Sequence, residues 1–226
     1  YNQVRYLNQA IESVLDQIKK PYEIIVVDDG SQDNSLALAQ SYEDLGVKVI
    51  SQTNRGLPSA RNTGIMNATG DFVLPLDSDD ILLPSAIEKI TEVAEKTSAD
   101  VISPSLKCFG LAQNEVILMD NPTIEDFKVA NRVGYCSAVK RSALLEVGGY
   151  SPKMIWGYED LHLWFNLLSH GKKLVTMQEV LWLYRIKENS MIQNAMAHHK
   201  ELMAQIAQDF PQIFPKVIEM KTPLPQ

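Results

Sequence analysis

The chain has few of the residues that would point to several functional classes. Its two cysteines in 226 residues, Cys108 and Cys136, have no zinc-ligand spacing and are too few to staple a domain of this size. This disfavours a zinc site and a disulfide framework, and a reducing compartment is the expectation. There is no long run of lysine and arginine, and the formal net charge is -7, which argues against nucleic acid as a partner. No apolar run approaches the roughly 20 residues of a membrane span, and no signal peptide is recognisable. The sequence contains no G-x-x-x-x-G-K-[ST], and no G-x-G-x-x-G follows an early strand. A nucleotide bound here would therefore not be held in the glycine cradle of P-loop or dinucleotide-binding proteins.

What is present is an ordinary globular composition, 45% hydrophobic and 22% charged, with clear alternation along the first half. Leu7, Ile11, Val14, Leu15 and Ile18 recur at helical spacing, and Tyr1 already lies inside this patterned stretch, as though a strand preceded it. Apolar runs at 23–27, 47–50, 72–76 and 101–104 predict strands. Helices are predicted near 35–45, 59–68 and 85–96. This alternation predicts an α/β fold with a mostly parallel sheet flanked by helices. Beyond residue 104 the regularity decays into short strand candidates (106–109, 116–119, 136–139, 181–184) and helices at 142–147, 160–169 and 191–210. A smaller mixed portion is expected there, with a proline-marked tail. The expected division is a ligand-facing half over 1–104, a second half of the same domain over 105–190, and a terminal helix and tail over 191–226.

Two acidic clusters stand where apolar runs stop: Asp28-Asp29-Gly30-Ser31, and Asp77-Ser78-Asp79-Asp80. Strand ends of open α/β sheets open onto the ligand crevice. Two acidic groups there repel each other unless a cation or hydrogen-bond donor lies between them. A divalent metal carrying a phosphorylated ligand fits, since Mg²⁺ and Mn²⁺ take oxygen ligands from one or two carboxylates plus phosphates. The competing reading is local: Asp79 or Asp80 capping the helix that Pro84 announces, and Asp28 and Asp29 in a simple turn.

Taken in order, the motifs resemble family 2 glycosyltransferases of the GT-A fold, across roughly residues 1–190. They are Tyr1-Asn2, the run from Glu23 to Asp33 through Val27-Asp28-Asp29-Gly30-Ser31, and Asn54-x-Gly56. Ala60-Arg61-Asn62-x-Gly64, Gly70-Asp71-Phe72, Leu76-Asp77-Ser78-Asp79-Asp80, Gly148-Gly149-Tyr150 and Glu159-Asp160 follow. The resemblance implies a nucleotide-diphosphate sugar donor, with a UDP-sugar as the default, and Mn²⁺ or Mg²⁺ as cofactor. The acceptor would be a hydroxyl on a sugar or lipid-linked glycan, and transfer would invert the anomeric centre, in cell-surface polysaccharide or glycan synthesis. Tyr1 would stack on the nucleobase and Asp29 would hydrogen-bond it. Asp77 would sit near ribose and metal, Asp79 would ligate the metal, and Asp160 would be the general base.

Arg185, and with it Arg61, are basic candidates for the donor phosphates, although each could instead bridge surface acids. Trp156 and Glu159 are expected on the acceptor side. Trp164 fits the inner stripe of its helix and is expected in the core. His162 is expected to be a surface or packing residue, and His198 and His199 to be solvated. Glu159 and Asp160 also open a helix, where acids favour the dipole whatever else they do. A sugar-1-phosphate nucleotidyltransferase and a non-catalytic nucleotide-sugar-binding module are the rival readings. The expected location is cytoplasmic, with a peripheral place at the inner face of a membrane left open.

Overall fold

A computed structural model describes residues 1–188 and 191–215. Ser190, which ended the motif around Arg185, and Pro223 and Pro225 of the expected tail lie outside the described residues. Helix α1 (Val4–Leu15) buries Leu7, Ala10 and Ile11, the i, i+3, i+4 stripe that its sequence predicts. Its first turn lacks a side-chain cap of its own. The backbone N–H groups of Asn2, Gln3 and Val4 instead donate to Ser31 Oγ, Ser35 Oγ and Asp33 Oδ2. Strand β1 (Ile24–Asp28) delivers that turn and pairs in parallel with β2 (Val47–Ser51) across the short helix α2 (Ser35–Gln40).

Helix α3 (Leu57–Asn67) opens with Pro58 in its first turn, where a missing N–H costs nothing. The expected strand at 72–76 contracts to β3 (Phe72–Val73). Pro75 has no N–H for a ladder, while Leu74 and Leu76 still pack into the core. The Asp77 N–H beyond it donates to the Tyr135 hydroxyl at 3.0 Å rather than to a strand. Strand β4 (Ile81–Leu82) and helix α4 (Ala86–Lys96) follow.

Strand β5 (Val101–Gly110) joins two segments that the sequence pattern separates at Pro104. After β6 (Glu115–Val116) comes α5 (Ile124–Val129), unforeseen although its capping box, Thr123 with Asp126, stands in the sequence. Strand β7 (Ala138–Lys140), helix α6 (Arg141–Glu146) and helix α7 (Glu159–Ser169) lead to β8 (Leu174–Ile186), a 13-residue strand. The expected terminal helix divides into α8 (Met191–Ala197) and α9 (His199–Asp209).

The second sheet has the order β3-β7-β5-β8-β4, with β6 on β5. Parallel pairing joins β1 to β2 and β5 to β8, whereas β7 pairs antiparallel with both β3 and β5, as β4 does with β8. The α/β class holds, with more antiparallel pairing than the alternation in the first half suggests. Along β5 and β8 the register jumps at Pro104/Ser105 and again at Ser105/Leu106. Met177 pairs with Pro104, but Trp182 pairs with Leu106. Ser105 Oγ fixes the irregular stretch by donating to Met177 O at 2.9 Å and accepting from Leu118 N at 3.0 Å. Trp182 then lies fully buried, edge-on to Tyr135 with ring centroids 5.1 Å apart. No helix among the described residues is long and apolar enough to cross a membrane.

Candidate active site

The acidic turn after β3 is held from several sides. Asp80 is buried, accepting a 2.6 Å bond from the Tyr135 hydroxyl and a 2.7 Å bond from Arg185 N. Burial first, then the nearby Asp77 charge, pushes its carboxyl up to about 8. Asp79 pairs through Oδ2 with Lys187 Nζ at 2.6 Å, and its carbonyl accepts from Arg185 Nε at 2.7 Å. Asp77 Oδ1 accepts from Arg61 Nη2 at 2.8 Å.

Arg61 occupies the centre of the site. Helix α3 points it inward, and its other terminal nitrogen, Nη1, reaches Glu159 Oε1 at 2.7 Å. Its guanidinium lies over the rings of Tyr135 and Tyr150, 4.9 Å and 5.2 Å from their centroids. One rigid fork thus ties the acidic turn to the start of α7. Arg61, expected at the donor phosphates, is buried with both terminal nitrogens on carboxylates. Glu159, expected on the acceptor side, is likewise buried and paired with Arg61. Burial pushes its carboxyl up, Arg61 opposes this, and the neighbouring Asp160 adds to it.

Asp160, the next residue, accepts from Asn131 Nδ2 at 2.8 Å and from its own following N–H, Leu161, at 2.7 Å. Burial raises its carboxyl above the ordinary aspartate range, with Arg61 and these hydrogen bonds pulling the other way. The Tyr184 phenol, on β8, shows how the acids converge. It is pushed up first by burial, then by Asp80, Asp77, Asp79 and Asp160 together. The turn at 77–80 and Asp160, about eighty residues apart in sequence, thus both face this hydroxyl.

Asn62, one residue after Arg61, clamps the 149–150 backbone: its Nδ2 donates to Tyr150 O and its Oδ1 accepts from Tyr150 N, both at 2.8 Å. Gly149 has φ +71, and a Cβ there would lie 2.4 Å from Asn62 Oδ1. Gly149→Ala is expected to lower stability by about 2 kcal/mol or more, as a strained left-handed residue that also breaks this clamp. A melting temperature within a degree of the parent's would refute it.

Just past the end of β1, Asp29 is buried, and its carboxylate organises the 52–56 loop. Oδ1 accepts from Gln52 Nε2 at 2.7 Å and Arg55 N at 3.0 Å, and Oδ2 accepts from Gly56 N at 2.7 Å. Tyr1 is 52% exposed, next to the clasp that Asn2 makes with Ser31.

Arg185 is fixed by Asp79 O and by Gln9 Oε1, with its guanidinium between the rings of Tyr6 and Phe109 at 4.4 Å and 4.2 Å. Like Arg61, it braces the acidic turn. Trp156 is 44% exposed and stacks on His198 at 4.5 Å between centroids. His199 is not solvated as expected: it is buried, with Nδ1 2.9 Å from the Tyr158 hydroxyl. His162 is a buried packing residue 3.2 Å from Asp209, and Trp164 is core as expected.

Tyr135, Asn131 and Lys187 are site residues that the sequence pattern missed. Lys187 had a signal, since it stands two residues past Arg185, just beyond the end of β8, where extended backbone puts i and i+2 on one face. Tyr135 and Asn131, in an irregular loop, had none.

No group of three or more His, Cys, Asp or Glu side chains that could hold a metal is gathered among the described residues. Asp77 and Asp79 nonetheless suit Mg²⁺ or Mn²⁺, which characteristically take one or two carboxylates and complete their shell with phosphate and water. Each has one oxygen engaged by a cationic side chain and the other without a hydrogen bond to the described residues.

The architecture is that of GT-A glycosyltransferases. S. aureus TarS 1-349 in complex with UDP-GlcNAc superposes with TM-score 0.79 at 19% identity, over 98% of this chain and 66% of that one. The mannosyltransferase PcManGT from Pyrobaculum calidifontis, in complex with GDP-Man and Mn²⁺, gives 0.69 at 20% identity, over 99% and 63%. These likenesses show the fold.

The sequence goes further. The family described as Glycosyl transferase family 2 matches residues 1–157, and the chain belongs to that family. The uncharacterized glycosyltransferase EpsJ of Bacillus subtilis (strain 168) is 38% identical over 229 residues, covering 92% of this chain and 67% of its own length. The chain therefore spans about two thirds of the length of these proteins.

Proposed function

We propose that the chain is an inverting glycosyltransferase that moves a sugar from a nucleotide-diphosphate donor to a hydroxyl acceptor in the synthesis of a cell-surface polysaccharide or glycan. The observation that supports this is the Arg61 bridge: a single guanidinium joins the Asp77 turn to Glu159, the residue before Asp160.

Asp160 takes the proton from the acceptor hydroxyl as its oxygen attacks the anomeric carbon. Two of the roughly four acceptor positions of its carboxylate hold Asn131 and Leu161 N, leaving room for that hydroxyl. The bond from the anomeric carbon to the donor diphosphate breaks as the new bond forms. One base with no separate nucleophile corresponds to a single displacement, hence inversion. A divalent cation at Asp77 and Asp79, when bound, offsets the negative charge developing on the departing diphosphate. Trp156 offers an exposed ring, backed by His198, for an apolar sugar face on the acceptor side.

At the base, Asp29 has three hydrogen bonds in place and one acceptor position left. One free position suits the single ring N–H of uracil, whereas guanine offers two adjacent donors, which makes a UDP-sugar the expected donor. A thermal-shift panel of UDP- and GDP-sugars with Mn²⁺ tests this. At about 100 times Kd, stabilisation is about 2.7 kcal/mol, or about 5–10 °C for a chain of this size. The expected result is a shift with UDP-sugars that Asp79→Ala abolishes. A shift with no nucleotide sugar, or one that Asp79→Ala leaves intact, would refute the donor and metal assignments.

A further inference from the structure

Lys187 and Arg185 stand two residues apart at the end of β8, and both bear on Asp79, but they are held differently. Arg185 is locked between two aromatic rings and hydrogen-bonded to the Asp79 carbonyl. Lys187 ends in an ammonium on a flexible stem, 23% exposed. It lies 2.6 Å from Asp79 Oδ2, 3.4 Å from Gln3 Oε1 and 5.4 Å above the Tyr6 ring. A carboxylate, an amide oxygen and a ring face thus form a seat for a cation beside the acidic turn. A monovalent, movable cation thus already neutralises the carboxylate whose other oxygen a divalent ion would approach.

We propose that Lys187 is a resident counter-ion of Asp79 that keeps free divalent cation off this carboxylate and yields it only to a cation arriving with the donor diphosphate. The inference rests on the placement of the metal given under Proposed function. A divalent ion offered one or two carboxylates alone is weakly held, and phosphate oxygens complete its shell. The ammonium therefore competes well against the bare ion and poorly against the chelate. Once displaced, the ammonium would exchange one anionic partner, Asp79, for another, the diphosphate, so that its charge stays compensated. Asp77 has no such exchange available, because Arg61 is buried and fixed by Glu159. Metal and donor would accordingly bind as a unit, not in the order metal then donor.

The test uses the full chain and two ligands, Mn²⁺ alone and UDP with saturating Mn²⁺. Binding of Mn²⁺ alone is followed by loss of the free-ion electron paramagnetic resonance signal, and UDP binding by calorimetry. Removing the charge of a partly exposed pair predicts about fivefold tighter Mn²⁺ binding by Lys187→Met, with Lys187→Arg close to the parent. UDP binding should shift the opposite way, weaker in Lys187→Met. A general loss of structure would weaken both, so the opposite signs identify the counter-ion role. Mn²⁺ bound by Lys187→Met no more tightly than by the parent, including no binding by either, would overturn the proposal. Asp79→Ala separates the underlying assignment: if it leaves binding of UDP with Mn²⁺ unchanged, the metal does not sit at Asp79.

Discussion

Asp160→Asn is expected to reduce sugar transfer by about 10²- to 10⁴-fold, the range for loss of a positioned general base, while donor binding stays near the parent's. The replacement is nearly isosteric, and its amide oxygen can still accept from Asn131, so the change falls on proton transfer. The pH dependence carries a second signature. Burial raises the Asp160 carboxyl, so the base loses its ionised form at a higher pH than an ordinary aspartate would. The acid limb of kcat/KM should lie correspondingly high, with activity falling as pH drops through it, and should vanish from the residual rate of the variant.

The stability sign runs opposite to activity. A carboxyl whose folded pKa lies above its unfolded value contributes stability at low pH that is lost as pH rises through the folded value. At neutral pH Asp160→Asn should therefore melt no lower than the parent. Transfer within about threefold of the parent would remove Asp160 from the mechanism.

Arg61→Met should be the most destabilising single change in the site. It strands Asp77 and Glu159 beside each other with no counter-charge, and breaking one partner of a buried ion network costs about 3–5 kcal/mol. For a chain of this length that lowers Tm by about 6–20 °C. Arg61→Lys should recover only part of this, because one ammonium does not span two carboxylates that a fork reaches at 2.7 Å and 2.8 Å. Adding Glu159→Gln to Arg61→Met should restore stability relative to the single variant, since the stranded charge is then removed. Strict additivity of the two changes in a double-mutant cycle would show that the bridge is not a coupled unit.

The sequence pattern reached some parts of this site far more readily than others. Asp29, Asp77, Asp79 and Asp160 stand in short local motifs at strand or helix ends, where side-chain type and position are both visible. Arg61 also stood in a motif, but its role depended on two acids sixteen and ninety-eight residues away. Nothing local shows that both ends of this arginine meet carboxylates. Glu159 shows the same limit, because which of two adjacent acids faces inward depends on the left-handed turn at Tyr158 (φ +61) that opens α7.

Strand positions were misjudged for a different reason. The pattern predicts separate strands over 101–104 and 106–109, whereas β5 continues through Pro104 by shifting register. At Pro75 the opposite happened, and the predicted strand ended early. The same residue type punctuates a strand or passes through it according to what its neighbours pair with, which periodicity does not record.

That irregular stretch of β8 has a further role in the geometry of the site. Trp182 lies five steps along β8 from Met177, while their partners Pro104 and Leu106 lie only two steps apart on β5. The surplus is three, an odd number, so it inverts the inside-outside phase of everything downstream. Trp182 faces the core, and Arg185 and Lys187 meet the acidic turn, in the phase that follows this inversion. The length of the 178–181 segment therefore sets which face of β8 carries Arg185 and, just beyond the strand, Lys187 toward Asp79.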